Sequence, residues 1–190
     1  MTLNADAIDS LEVRYRATLI NSLTGVRPAV LVGTRSGSGN NNLAIFNSLV
    51  HIGADPPLNG LLFRPATVER HTLNNILETG NYTLNFVAAT DYKKAHQTSA
   101  KYSAGESEFE AAGFTPKSIE NFSAPFVGEA VIQLAMKYHS RIDIPANGTI
   151  LIIGSIQQIS IPDELIAADG FVAPDHIELL TCAEIGRAHV

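Results

Sequence analysis

Two long β-type runs, residues 128–141 and 149–159, stand on either side of Pro145-Ala-Asn-Gly148. A short link of turn-forming residues lets two such strands pair only antiparallel, because a parallel return needs a dozen or more residues. Upstream, Ala29-Val-Leu-Val32 reads as a buried strand, Arg35-Ser-Gly-Ser-Gly-Asn40 as a turn cluster, and Asn42-Leu-Ala-Ile-Phe46 as the second strand of a hairpin. Leu58–Phe63 and Tyr82–Val87 add two strands, while Ala54-Asp-Pro-Pro57 interrupts the pattern, since proline donates no ladder hydrogen bond. Apolar residues at Val13, Ala17, Ile20 and Leu23 follow a helical period that stops at Gly25. His71–Gly80 predicts a short helix with Thr72 as N-cap and Gly80 as stop, and residues 91–114 predict helix with a break near Gly105. Strands on both sides of a helical insert, without regular strand–helix alternation, predict a mainly β chain. The expected form is an antiparallel, Greek-key-type barrel decorated with helices, one domain over residues 1–190, rather than a doubly wound sheet.

Composition removes several function classes. Of the 190 residues, 45% are hydrophobic and 17% charged, too apolar for a disordered chain. Lys and Arg number 13 against 19 Asp and Glu, a net charge of −6. A phosphate-backbone binder carries a basic excess, so no nucleic acid partner is expected. A single phosphorylated small ligand stays open, because a few placed donors hold one phosphate whatever the net charge. The one cysteine, Cys182, allows neither an internal disulfide nor a cysteine-based metal site. With no basic-then-apolar leader and no apolar run near the ~18 residues of a span, a soluble cytoplasmic protein without membrane attachment is expected.

The usual signatures of protein-borne chemistry are missing. The sequence holds no GxGxxG, no P-loop lysine motif and no GxSxG elbow. None of the six histidines lies three to five residues from another, so no histidine pair is spaced for zinc. Asp163 and Glu164 are adjacent and read as a solvated turn rather than an acid/base pair. One segment stands out. Phe63–Thr72 places Arg64, Thr67, Arg70, His71 and Thr72 just before a helix start, where backbone N–H groups, guanidinium and hydroxyl donors can make an anion site. The same residues also suit a plain structural reading, with Thr72 capping the helix, Pro65 shaping the loop and both arginines solvated. Composition alone leaves both open.

In order along the chain, Arg27-Pro28 leads into Leu31-Val-Gly-Thr34, then Asn42-Leu-Ala-Ile-Phe-Asn47, Gly53-Ala-Asp-Pro-Pro57, Phe63-Arg-Pro65 and His71-Thr-Leu-Asn-Asn-Ile76. Asn85, Ala95-His-Gln-Thr-Ser-Ala100 and Ile144-Pro-Ala-Asn-Gly-Thr149 follow. This ordered series, over roughly Tyr15 to Leu180, resembles the flavin reductase-like family with the FMN-binding split β-barrel fold, flavoredoxin included. Asn47 stands where the family usually has Ser or Thr.

The resemblance implies FMN, or sometimes FAD, on the barrel surface, usually at a homodimer interface. It places the Asn42–Ser48 strand end against the ring and ribityl chain, with Asn42, Phe46, Asn47 and Ser48 as contacts. Arg64, Thr67, Arg70, His71 and Thr72 would meet the phosphate. Gln97, Thr98 and Ser99 read either as the polar face of a surface helix or as a wall near the flavin. Asn75 and Asn85 are expected to satisfy backbone groups. The implied function is electron transfer from NADH or NADPH through bound FMN to a flavin, another small molecule or a protein acceptor. The alternative is an FMN-binding carrier or store without nicotinamide turnover. The chemistry would be the cofactor's, so no catalytic side chain and no metal are expected.

The ending Glu184-Ile-Gly-Arg-Ala-His-Val190 matches a translation of a common sequencing adapter followed by a stop. Residues 184–190 are therefore expected to be a non-native tail, and Arg187 and His189 are left out of every site.

Overall fold

The computed structural model describes residues 2–23, 25–65, 70–103, 105–173 and 177–182. Two N-terminal helices, α1 (Ala5–Ser10) and α2 (Val13–Ser22), bury no residue in the rest of the chain. The strands are β1 (Arg27–Pro28), β2 (Val30–Arg35), β3 (Asn41–Phe46), β4 (Leu49–Ala54), β5 (Pro57–Phe63), β6 (Asn81–Phe86), β7 (Pro116–Ile119), β8 (Phe122–Val127), β9 (Ile132–Ile144), β10 (Thr149–Ser160) and β11 (Thr181–Cys182). Helix α3 (His71–Thr79) links β5 to β6, and α4 (Tyr92–Gln97) and α5 (Glu108–Ala112) precede β7.

Seven strands form one antiparallel sheet in the order β3-β2-β6-β9-β10-β5-β4. Its two edge strands, β3 and β4, are consecutive in sequence and joined by Asn47 and Ser48 alone. The sheet must therefore curl round until its edges meet. At that seam the rings of Phe46 and Phe63 lie edge to face, with centroids 4.9 Å apart. No β3–β4 pairing closes the ring among the described residues, and the barrel is split there. Register shifts after Ile153 and Ile156 bend the long β9–β10 ribbon around the curl.

The barrel interior holds Val30, Val32, Phe63, Leu84, Met136 and Ile152, closed by Leu73 and Ile76 of α3. A second cluster, with Leu31, Leu43, Phe109, Phe114 and Val127, lies on the other face of β2 and β3 under α5 and β8. Burial on both faces explains why Ala29–Val32 reads as an unbroken apolar run rather than an alternating one. Asn85 binds the Leu31 carbonyl at 3.0 Å and accepts the Val127 N–H at 3.0 Å, the backbone role expected of it. Asn75 instead donates to the Thr34 hydroxyl at 3.1 Å.

The structure revises several boundaries. The long ribbon, expected from residue 128, begins at Ile132, because Ala130 turns back on the Val127 carbonyl; residues 122–127, not anticipated as a strand, belong to the separate β7–β8 hairpin. Leu49–Ala54, not anticipated, is the β4 edge, and the Asp55-Pro56 break is its tight turn into β5, with a cis peptide bond. Helix α3 ends at Gly80, whose φ of 73° is the left-handed conformation its lack of a Cβ permits. Thr72 does not cap this helix. Arg70 occupies the N-cap position and Thr72 lies inside the first turn, buried. Thr67 and residues 184–190 lie outside the described residues. No helix among the described residues is long and apolar enough to cross a membrane.

Candidate functional site

An open cleft of about 570 Å³ runs along the outer side of the seam. Its long wall is the free edge of β3. The Leu43 N–H leaves the β2–β3 ladder and donates to the Glu108 carboxylate at 3.0 Å. Antiparallel pairing alternates, so the N–H and C=O of Ile45, two residues on, face the same outward side and line the cleft. Phe46, Leu62 and Phe63 supply an apolar floor where the barrel edges meet. Asn47, buried at the corner, accepts from the Ser48 hydroxyl at 3.3 Å and hydrogen-bonds the Cys182 thiol.

The other end is cationic. Arg64, Arg70 and His71 converge there at the start of α3. No side chain caps this helix, so the N–H groups of its first turn and the positive end of its dipole face the cleft. The Nε of Arg70 is buried without a hydrogen-bond partner among the described residues, and its guanidinium reaches only the Pro65 carbonyl, at 3.4 Å. Asn42 ties this end together, donating to Thr72 at 3.0 Å and to Thr34 at 3.2 Å. Lys101 adds a third lysine or arginine against the single carboxylate of Glu108. A chain of net charge −6 thus gathers a local positive excess in this cleft.

Ten of the twelve residues singled out from sequence line this cleft: Asn42, Phe46, Asn47 and Ser48 on one wall, Arg64, Arg70, His71 and Thr72 at the cationic end, Thr98 and Ser99 on the rim. Gln97 does not. It is exposed and donates to the hydroxyl of the cleft-lining Tyr102 at 2.7 Å, behind the wall rather than in it. Thr67 falls outside the described residues. Sequence reasoning missed Glu108, Lys101 and Tyr102. Glu108, one of three glutamates in Glu106-Ser-Glu-Phe-Glu110, carries no local mark of the strand edge it reaches 65 residues away.

Residues 25–174 match the family model described as flavin reductase like domain. The chain belongs to this family. A split-barrel protein of Shewanella frigidimarina NCIMB 400, provisionally named a flavin reductase, is 40% identical in sequence, with a TM-score of 0.90 over 100% of this chain and 99% of that one. Nitrilotriacetate monooxygenase component B of Bacillus cereus shares the fold at 22% identity and a TM-score of 0.83, covering 94% of this chain and 89% of its own. Flavoredoxin of Desulfovibrio vulgaris does so at 21% and 0.69, covering 99% and 97%. As expected of a flavin reductase-like protein, the strands build a split barrel.

The residues present fit a phosphorylated flavin. The uncapped start of α3 and the partnerless Arg70 nitrogen suit the phosphate. The β3 edge offers backbone donors and acceptors to a ring edge, and the Phe46–Phe63 floor offers apolar contact to a ring face. Among the described residues no group of three or more His, Cys, Asp or Glu could hold a metal ion.

Proposed function

We propose that this chain is an FMN-dependent oxidoreductase that takes electrons from NADH or NADPH and delivers them to a flavin, another small molecule or a protein acceptor. The observation that carries the reading is the buried Arg70 Nε, without a partner among the described residues, beside the uncapped start of α3, at one end of a cleft whose long wall is a free strand edge. Bound FMN would supply hydride acceptance and the return of electrons singly or in pairs. The chain's own residues would bind and orient it. Arg64, Arg70, His71, Thr72 and the α3 N–H groups would hold the phosphate, with Thr67 from the preceding segment. The backbone at Ile45, Asn47 and Ser48 would hold the ring edge on which negative charge grows during reduction. Thr98 and Ser99 would form the outer rim.

The reading includes a homodimer. Val13 and Ile20 of α2 and its C-cap Leu23 share one exposed side of the helix, Val26 just beyond is also exposed, and α2 buries nothing in its own chain. A second copy would cover this face, and a cleft on the outside of a barrel gains a lid from such a partner.

The visible spectrum of the purified protein, an FMN titration, and anaerobic addition of NADH or NADPH test the reading. Flavin binding with bleaching of the bound flavin's visible absorbance by either nucleotide is the expected result. Flavin binding without bleaching would favour the electron-carrier reading, and a colourless protein that takes up no FMN would end both.

A further inference from the structure

Glu108, the first residue of α5, is only 8% exposed, yet it lines the cleft. Its neighbour Phe109 is fully buried in the cluster that holds Leu31, Leu43 and Val127, and Ala112 belongs to the same cluster, so the backbone that carries the carboxylate is fixed. One oxygen, Oε2, accepts the Leu43 N–H at 3.0 Å. The other, Oε1, has no hydrogen-bond partner among the described residues, and no lysine or arginine among them forms an ion pair with the group. Burying a carboxylate is costly unless donors surround it, and half of this one is left to the cleft. Its place along β3 is defined. Leu43 follows Asn42, which is bonded to Thr72 at the cationic end, while Ile45, Asn47 and Ser48 lie further on, toward the corner. At the rise of an extended strand, Leu43 stands about 7 Å before Ile45.

We infer that Oε1 of Glu108 accepts a hydrogen bond from a hydroxyl of the ribityl chain, so that this carboxylate reads what joins the flavin ring to its phosphate. The inference rests on the flavin reading of the cleft. A carboxylate accepts and does not donate, so its partner must bring an O–H or an N–H. A phosphate dianion brings neither, and its place is at Arg70 and the start of α3. The imide N–H of the ring lies on the ring edge remote from the chain, toward the corner at Asn47 and Ser48. The chain hydroxyls are the donors that pass Leu43 between the two ends. Such a bond is charge-assisted and formed away from water, which makes it one of the stronger kind. A chain without hydroxyls would instead seal the carboxylate under methylene groups, with no donor for Oε1. Two compounds with the same ring and the same phosphate are thus told apart by the link between them.

The test compares FMN with a deoxy analogue that carries hydrogen in place of every ribityl hydroxyl and keeps the ring, the chain length and the phosphate. Calorimetric titration of flavin-free protein is expected to show the parent binding FMN about tenfold or more tightly than the analogue. Glu108→Gln keeps a side-chain carbonyl for the Leu43 N–H and removes the charge; Glu108→Ala removes the group. The preference for FMN is expected to shrink to about threefold in Glu108→Gln and to fall further in Glu108→Ala, because only the hydroxyl-bearing ligand is coupled to the carboxylate. Equal weakening of both ligands in Glu108→Gln, or a preference as large as the parent's, would show that the side chain only holds the strand edge and would overturn the inference. A parent that binds the two ligands alike would overturn it too, and in each of these cases the flavin reading stands. Protein that takes up neither ligand would remove the flavin reading and this inference together.

Discussion

The Asn42 side-chain amide donates to the Thr72 hydroxyl at 3.0 Å, joining the edge strand β3 to the first turn of α3 across 30 residues of sequence. The same amide reaches Thr34 at 3.2 Å, and Thr34 also accepts from Asn75 at 3.1 Å. These four buried polar residues fix the cationic end of the cleft to its long wall. Asn42→Ala leaves Thr72 buried without this donor, at a cost of about 1–3 kcal/mol. For a chain of this size that lowers the melting temperature by roughly 2–4 °C per kcal/mol. Differential scanning calorimetry checks the shift, and FMN affinity is expected to fall with it because α3 loses its tether to β3, keeping only the Asn75 bond to Thr34 of β2.

Arg70 and Arg64 are not equivalent. Arg64 is exposed, whereas Arg70 is half-buried with a partnerless Nε. A charge-assisted hydrogen bond formed away from water contributes about 1.5–3 kcal/mol, so Arg70→Ala is expected to weaken FMN binding about ten- to a hundredfold. Arg64→Ala should cost less, since solvent screens its contact. Fluorescence titration of FMN into the two variants ranks them, and equal losses would contradict the assignment.

Gly154 sits in β10 where a Cβ would run into the Tyr82 ring and hydroxyl, a fully buried side chain of the barrel interior. Gly154→Ala is therefore expected to destabilise the fold by about 1–3 kcal/mol through overpacking. Gly53→Ala, whose new methyl would meet only the Pro56 carbonyl at 3.7 Å, is the matched control and should be close to neutral by chemical denaturation.

Burial pushes the Cys182 thiol above its ordinary range, with the Asn47 hydrogen bond and the nearby Arg27 charge opposing the shift without cancelling it. Less thiolate is present at pH 8 than in an unfolded chain, so alkylation by iodoacetamide should be slower in the native protein than in urea. The native rate should keep rising with pH beyond the point where the unfolded rate levels off. A native profile that levels off at the same pH as the unfolded one would show the thiol to be unshifted.

Leu23→Asp and Val13→Asp place a charge on the exposed apolar face of α2. If two copies pack there, light scattering should move from about 40 kDa toward the 20.3 kDa of one chain. Circular dichroism should stay unchanged, because neither residue is buried within its own chain. A parent protein already at the smaller mass would remove the homodimer from the proposal.

The elements legible in the sequence were those with a local cause. The β2–β3 hairpin has its Ser/Gly turn, α3 has Gly80 and an apolar stripe at Leu73 and Ile76, and the β9–β10 ribbon has Pro145–Gly148. Strand β4 was not legible, because its alternation in Leu49–Ala54 abuts a proline turn and most of it lies exposed at the sheet edge. The cationic end of the cleft could be read because its residues are neighbours in sequence. The helical cap on Thr72 was misplaced for a related reason: a threonine near a helix start reads as a cap until Asn42, 30 residues earlier, is seen to claim it. Glu108 and Tyr102 reach the cleft only through tertiary packing, which no spacing rule encodes.

The unpaired seam between β3 and β4 makes this barrel mechanically soft along a single line. Elsewhere around the sheet, widening would break ladder hydrogen bonds; here, among the described residues, the Phe46–Phe63 contact, neighbouring side chains and the Asn47-Ser48 link resist it. The wall that faces the cleft is thus also the hinge of the barrel, held by the two residues Asn47 and Ser48. A small opening of the seam would widen the cleft while the remaining strands keep their register.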